Sequence, residues 1–367
     1  MVNKRIRVVV VDDSQNMRRL LSETLASSPQ IEVVGTAADP YEARDLIVAL
    51  RPDVLTLDIE MPKMDGITFL GKLMAKLPMP VIVVSTLCQR GSQAVVEALR
   101  LGAVEALVKP AGAREIPEFR QQLLLKVLGA AGARYRGALP AHSVPMPGAP
   151  PVALATGVPG RPSSRIFAVG ASTGGTQAVE RLLLQLPADI PGMVVVQHIP
   201  PVFSRSFADR LNQCCPQRVK EAEDGDLVED GLVLIAPGGL HLVLARQGNE
   251  YRVRLRKGPP VHYQRPAVDV LFRSVAAVAG ASALGVILTG MGSDGATGLK
   301  QMRDGGAWTI AQNEETCVVY GMPHAAVEAE AACEVLALDR IGQAMLQGFS
   351  RGGRAKPYHQ ELVASNS

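Results

Sequence analysis

Cysteine is scarce in this chain: five in 367 residues, at Cys88, Cys214, Cys215, Cys317 and Cys333. No two have the spacing of a zinc motif, and Cys214 and Cys215 are neighbours, so neither a structural metal nor a disulfide framework is expected. An excess of charge is also lacking. Thirty-eight Lys and Arg against 35 Asp and Glu give a formal net charge of +3, which offers no electrostatic case for binding nucleic acid. No apolar run approaches the ~20 residues that cross a bilayer. Residues 1–5 lead straight into a strand-like run, leaving no room for a signal peptide, so a cytoplasmic protein without membrane insertion is expected. At 47% hydrophobic, the chain has enough apolar material for two domains with separate cores.

Two blocks repeat a βα pattern. In the first, the apolar β-branched runs 6–11, 31–37, 54–57, 81–84 and 106–108 alternate with stretches whose apolar residues recur every three or four positions. This predicts a doubly wound, five-stranded parallel sheet of flavodoxin type over residues 1–127. From 128 to 164 the composition turns to Gly, Ala, Pro and Ser, as in Pro145-Met146-Pro147-Gly148-Ala149-Pro150-Pro151, which reads as a flexible linker. A second doubly wound α/β block is expected over 165–350. Its strands are predicted at 166–169, 193–196, 232–235, 283–288 and 308–311, and its helices near 176–185, 204–213, 268–278 and 296–303. Residues 240–256 alternate like a β-ribbon added to that sheet, and 351–367 read as a polar tail.

In the first block Asp12 and Asp13 follow the first strand and Asp58 ends the third, at the sheet edge where open α/β folds bind ligands. Alone, each is an ordinary capping or turn residue. Together, three repelling carboxylates suit a hard divalent ion such as Mg²⁺, beside which Asp58 can attack a phosphoryl donor as a nucleophile. Lys109 is placed to meet phosphoryl charge, and Ser85 to hydrogen-bond it. The segments Val10-Val11-Asp12-Asp13-Ser14, Leu57-Asp58-Ile59-Glu60-Met61-Pro62-Lys63-Met64-Asp65-Gly66 and Val108-Lys109-Pro110 resemble the response-regulator receiver family over its full length. The resemblance implies Asp58 as phosphoacceptor, Mg²⁺ held by Asp12, Asp13, Asp58 and the Glu60 backbone carbonyl, and Ser85 and Lys109 as the switch pair.

The second block opens with Gly170-Ala171-Ser172-Thr173-Gly174-Gly175 after a strand-like run and before a helical pattern. This reads as a nucleophile elbow, with Ser172 beside helix N-terminal amides. His198, closing the next strand, can serve as its base, and Asp294, in the turn Thr289-Gly290-Met291-Gly292-Ser293-Asp294-Gly295, can orient the imidazole. The Met291 amide is a candidate oxyanion donor. Each residue also has a plainer reading: Ser172 as a cap, His198 as a core histidine, Asp294 as a turn residue. A dinucleotide-type phosphate cradle is the rival for the glycines, but it expects an acidic residue after the next strand, where Gln197 and His198 stand. His241 and His324 are expected to have packing or surface roles.

These motifs, with Arg265-Pro266-Ala267-Val268-Asp269-Val270-Leu271-Phe272 and Tyr320-Gly321-Met322-Pro323, resemble the chemotaxis protein-glutamate methylesterase/protein-glutamine glutaminase family across residues 165–348. The resemblance implies a phosphorylation-activated hydrolase that removes glutamate γ-methyl esters from chemoreceptor cytoplasmic helices and deamidates particular glutamines. It assigns Ser172, His198 and Asp294 as the triad, gives Thr173 and Met291 a role in shaping the site, and assigns no cofactor to the esterase. It further implies a histidine kinase as phosphodonor and a monomeric protein. Many relatives carry histidine just before the Arg-Pro pair, where this chain has Gln264, with His262 two residues earlier. The competing expectation is a response regulator whose α/β output domain binds a nucleotide or protein partner without catalysis.

Overall fold

A computed structural model of the chain describes residues 4–86, 89–133 and 160–349, with no side-chain description at 89–92. Cys88, His142, His359, most of the expected linker and the expected tail lie outside the described residues. No helix among the described residues is long and apolar enough to cross a membrane. The chain divides into two compact units.

The first unit runs β1 (Ile6–Val11), α1 (Gln15–Ala26), β2 (Ile31–Ala37), α2 (Pro40–Leu50), β3 (Val54–Asp58), α3 (Gly66–Lys76), β4 (Val81–Ser85), α4 (Gln89–Leu101), β5 (Glu105–Val108) and α5 (Ile116–Ala131). The strands pair in parallel in the order β2-β1-β3-β4-β5. Continuous Val, Ile and Leu runs suit strands covered by helices on both faces, and all five residues of β3 and of β4 are buried. Ser14, Asp39 and Asp65 start α1, α2 and α3 by accepting hydrogen bonds from amides in the first turns. The strand order reverses between β1 and β3, which opens the ligand crevice at their C-terminal ends. The helix α5 continues past residue 127 because Leu123, Val127 and Ala130 keep one buried stripe going.

From residue 160 onward the described chain contains β6 (Ile166–Ala171), α6 (Gly175–Leu184), β7 (Gly192–Gln197), α7 (Pro201–Cys214), β8 (Arg218–Glu221), β9 (Leu232–Ile235), β10 (His241–Gln247), β11 (Glu250–Arg256), α8 (Val268–Ala279), β12 (Ala283–Ile287), α9 (Ala296–Asp304), β13 (Trp308–Gln312), α10 (Met322–Glu328), β14 (Glu334–Leu336) and α11 (Leu338–Gly348). Seven strands form one parallel sheet in the order β14-β13-β12-β6-β7-β9-β8. The chain leaves β6 for β7 on one side and returns to β12 on the other, so β6 is the topological switch point. Two edge strands, β8 and β14, join the five expected from sequence. The ribbon β10–β11 is an antiparallel sheet of its own rather than an addition to the parallel one. Its inward Leu242, Leu244, Tyr251 and Val253 share a core with Val268, Leu271, Phe272 and Val275 of α8, so the alternation marks a hairpin packed on α8 rather than strands added to the parallel sheet.

Candidate functional site

Strand register brings Ser172 and His198 together. Ala171 and Gln197 are partners across β6 and β7, and the His198 amide donates to the Ala171 carbonyl at 3.0 Å. The chain turns sharply after Ser172: the Gly175 amide donates to the Ser172 carbonyl at 2.7 Å, and Gly174 adopts φ 74°, a left-handed conformation that suits glycine, as the cap of α6. Ser172 is thus set at a helix N-terminus, where amides favour developing negative charge. The loop after β12 closes over it. The Ser172 amide donates to the Thr289 carbonyl at 3.0 Å, and a Cβ on Gly290 would lie 2.8 Å from that of Ser172, so only glycine permits this approach. Thr173 is buried, its carbonyl accepting from the Thr289 hydroxyl at 3.0 Å. Met291, next after Gly290, is half-buried, and its amide donates to no group among the described residues.

His198 and Asp294 are buried and joined, with Nε2 2.8 Å from Asp294 Oδ2. Asp294 also accepts from the Val268 amide at 2.7 Å and the Asp269 amide at 2.9 Å. It therefore caps α8 from a distant loop, a helix whose own cap residue, Ala267, offers no side-chain bond. Burial alone would raise the Asp294 pKa, but the His198 hydrogen bond and charge and the two amides outweigh it and hold the carboxyl below its ordinary value. An ionised Asp294 places the imidazole proton on Nε2 and leaves Nδ1 with a free lone pair. Nδ1 is buried without a hydrogen-bond partner, and no hydrogen bond joins the Ser172 hydroxyl to the ring. The structure thus brings all three residues to one strand-end cluster, with the His–Asp link made and the Ser–His link open.

Gln197 is a contributor that sequence reading missed. Its buried amide donates to the Ser172 carbonyl at 2.8 Å and the His198 carbonyl at 3.1 Å, tying the two loops together. The same engagement takes it away from the ribose-binding role a nucleotide site would need. Only its place beside His198 could have signalled this. Asp269, fully buried, accepts from the Gly298 amide at 2.7 Å and lies 3.2 Å from His262 Nε2 and 3.4 Å from Arg273. His262, Asp269 and Asp294 place possible metal-ligand atoms within 4.8 Å of one another, but both carboxylates are already committed to backbone amides. Gln264 pairs with Val261 through its backbone, and His324 approaches Glu328 on the surface at 3.5 Å. The four described cysteines are free thiols.

In the first unit, ligand atoms of Asp12, Asp13 and Asp58 lie within 4.8 Å of one another. Lys109 Nζ donates to Asp58 Oδ2 at 2.7 Å and stands 2.8 Å from Asp12 Oδ2, in ion-pair range but not aligned for a hydrogen bond. Burial, with Asp12 adding to it, pushes Asp58 up to about 6 against the opposing pull of Lys109. Asp12 is raised too, by burial first. Burial lowers the Lys109 pKa, but its close contacts with Asp12 and Asp58 and their charges prevail and raise it. The Ser85 hydroxyl is fully buried without a partner. At Glu60 the amide donates to Asp58 Oδ1 at 3.2 Å. Three oxygen donors holding more negative charge than one lysine neutralises are a fitting set for a hard divalent cation.

Comparison with known proteins agrees with this division. The response regulator receiver domain family model matches residues 8–119, and the CheB methylesterase model residues 167–345. The chain is 49% identical over 343 residues to protein-glutamate methylesterase/protein-glutamine glutaminase 2 of Syntrophus aciditrophicus, covering 94% of this chain and 99% of that one. It is 50% identical over 350 residues to the protein-glutamate methylesterase/protein-glutamine glutaminase of Salmonella typhi, with 95% and 98% covered. Among solved structures, the CheB methylesterase catalytic domain of Thermotoga maritima is 40% identical, covering 50% of this chain and 97% of its own, with a TM-score of 0.49. Matched along nearly its whole length by such relatives, the chain belongs to the protein-glutamate methylesterase/protein-glutamine glutaminase family, with a receiver domain ahead of the catalytic domain.

Proposed function

We propose that the chain hydrolyses glutamate γ-methyl esters, and deamidates particular glutamines, on the cytoplasmic helices of chemoreceptors, and that phosphorylation of Asp58 activates it. The observation that carries the reading is the buried His198, fixed through Nε2 by an ionised Asp294 and left with an unpaired Nδ1 one strand away from Ser172. Nδ1 takes the Ser172 proton as Oγ attacks the ester carbonyl. The Met291 amide, with Thr173 shaping the wall beside it, receives the oxyanion. The imidazolium, held by Asp294, gives that proton to the leaving oxygen of the ester, which departs as methanol, or to the leaving amide nitrogen of glutamine, which departs as ammonia. Water, deprotonated at the same Nδ1, then clears the acyl group from Ser172. No step calls on a metal.

At the receiver, Asp58 Oδ accepts the phosphoryl group from a histidine kinase. Mg²⁺, held by Asp12, Asp13, Asp58 and the Glu60 carbonyl, would supply the positive charge that the transfer needs. Lys109 and the unpaired Ser85 hydroxyl meet the new phosphoryl oxygens, which add about −1.5 to −2 charge at this edge. The protein acts in the cytoplasm as a monomer, its domains joined by the Pro/Gly/Ala-rich linker. The test is methanol release from a radiomethylated receptor fraction by the full chain, with and without a small phosphodonor and Mg²⁺. A binding module without catalysis releases none, and loses nothing on Ser172→Ala.

A further inference from the structure

Charge is nearly balanced over the chain, with 38 basic against 35 acidic residues, but it is not evenly spread. Between Glu250 and Asp269 lie 18 residues with five Lys or Arg (Arg252, Arg254, Arg256, Lys257, Arg265) and no acid. Tyr251 and Val253 turn inward on β11, which puts Arg252, Arg254 and Arg256 on its outer face. Two are compensated locally: Arg252 by Glu250 at 2.8 Å and Arg254 by Asp224 at 3.7 Å. Arg256, Lys257 and Arg265 are exposed and meet no acidic partner among the described residues; Arg265 only donates to the Gly258 carbonyl at 2.8 Å.

These three cations border the catalytic cluster. Arg256 pairs across the ribbon with His241, whose Nδ1 accepts from the Ala267 amide at 3.3 Å and whose Nε2 meets the Pro259 carbonyl at 3.0 Å. His241 thus pins the ribbon end and the segment after it to the start of α8, where the Val268 amide holds Asp294. The rim is stiff. The Val261 and Gln264 amides each donate to the other's carbonyl, at 3.0 and 2.9 Å, across a two-residue turn whose His262 and Tyr263 both have positive φ.

We propose that Arg256, Lys257 and Arg265 form a docking rim for the acidic face of the helix that carries the substrate side chain. The proposal rests on the function proposed above, and that function supplies the chemistry of the partner. A helix whose modified positions are glutamates and glutamines gains a carboxylate at every turnover, so its neighbouring sites present negative charge to the enzyme. Exposed charges of this kind steer encounter and set affinity rather than chemistry, and they weaken with salt.

The test is the full-length protein with Arg256→Glu and Lys257→Glu together, activated with phosphodonor and Mg²⁺. KM for methylated receptor rises about tenfold or more while kcat holds, KM loses much of its dependence on salt, and the pair Arg256→Lys with Lys257→Arg keeps wild-type behaviour. Circular dichroism checks that the variants fold. Binding is read separately, by fluorescence anisotropy of a labelled glutamate-bearing helical peptide on the full chain with Ser172→Ala, so an inert wild-type enzyme would overturn the hydrolase reading without touching this one. Unchanged KM and peptide affinity in the double variant overturn the rim. So does a loss confined to binding of anionic phosphatidylglycerol vesicles, which would assign the patch to lipid.

Discussion

Two buried carboxylates, Asp58 and Asp294, end up with opposite electrostatics. Asp294 is surrounded by donors belonging to the protein, a histidine ring and two amides at the start of α8, and is held below its ordinary pKa. Asp58 shares one lysine with Asp12 in a crowded acidic pocket and is pushed up to about 6. The proposed catalytic site thus carries its own counter-charge and donors, and the carboxylate cluster of the receiver is short of positive charge. A complete site can run acid–base chemistry unaided. A deficient one is suited to a cation and a phosphoryl group, as the proposed switch requires.

The largest effects that would break this contrast lie on the complete side. Ser172→Ala and His198→Ala each reduce methanol release by about 10³-fold or more, and the double variant is scarcely worse than either, because the residues act as one unit. Independent, multiplicative losses would show that they do not. Asp294→Asn costs less than Ser172→Ala or His198→Ala, since an amide oxygen still caps α8 but no longer stabilises the imidazolium. A loss equal to that of Ser172→Ala would mean that Asp294 does more than orient and stabilise.

On the deficient side the effects are smaller. Asp58→Ala leaves basal turnover intact and abolishes stimulation by phosphodonor. A tenfold stimulation needs only ~1.4 kcal/mol of differential stabilisation between resting and active states. If the receiver restrains the hydrolase, removing residues 1 to about 150 raises basal turnover above that of the resting full chain; a folded but slower fragment would mean that it assists instead.

The smallest effect is on stability, with opposite sign at the two sites. The raised Asp58 carboxyl contributes stability that is full below its unfolded value of 3.8 and lost as pH rises through about 6. The lowered Asp294 contributes above its unfolded value of 3.8 and loses that contribution as pH falls through its folded pKa. Asp58→Asn therefore raises the receiver Tm by a few degrees at pH 7, and the gain shrinks toward pH 4. Calorimetry at both pH values checks this, and a gain that is larger at pH 4 would reverse the electrostatic assignment.

Sequence made one half of each site legible. Asp12, Asp58, Ser172, His198 and Asp294 all stand at or just beyond strands or strand-end turns marked by apolar runs, and an open parallel sheet gathers such positions at one edge. The other half is long-range. Nothing local to Asp294 foretells that amides 25 and 26 residues away will bind it, and the choice of Nε2 over Nδ1 at His198 depends on where α8 starts. Gln197 was visible only as a residue of the wrong type for a nucleotide site. The same limit applies to the fold: β8 has a single buried apolar residue, Val219, among Arg, Lys and Glu, and β14 is three residues long, so neither carries a strand-like run. The helix α11 was missed despite Leu338, Ile341 and Met345 on one buried stripe.

The most direct test of the contrast is methanol release by the full-length protein from radiomethylated receptor, in EDTA and in Mg²⁺ with phosphodonor. Basal release is predicted to be unchanged by EDTA, stimulation to require both Mg²⁺ and Asp58, and Ser172→Ala to remove release under every condition. Basal release that EDTA abolishes, or that survives Ser172→Ala, would contradict a self-sufficient catalytic site beside a cation-dependent switch.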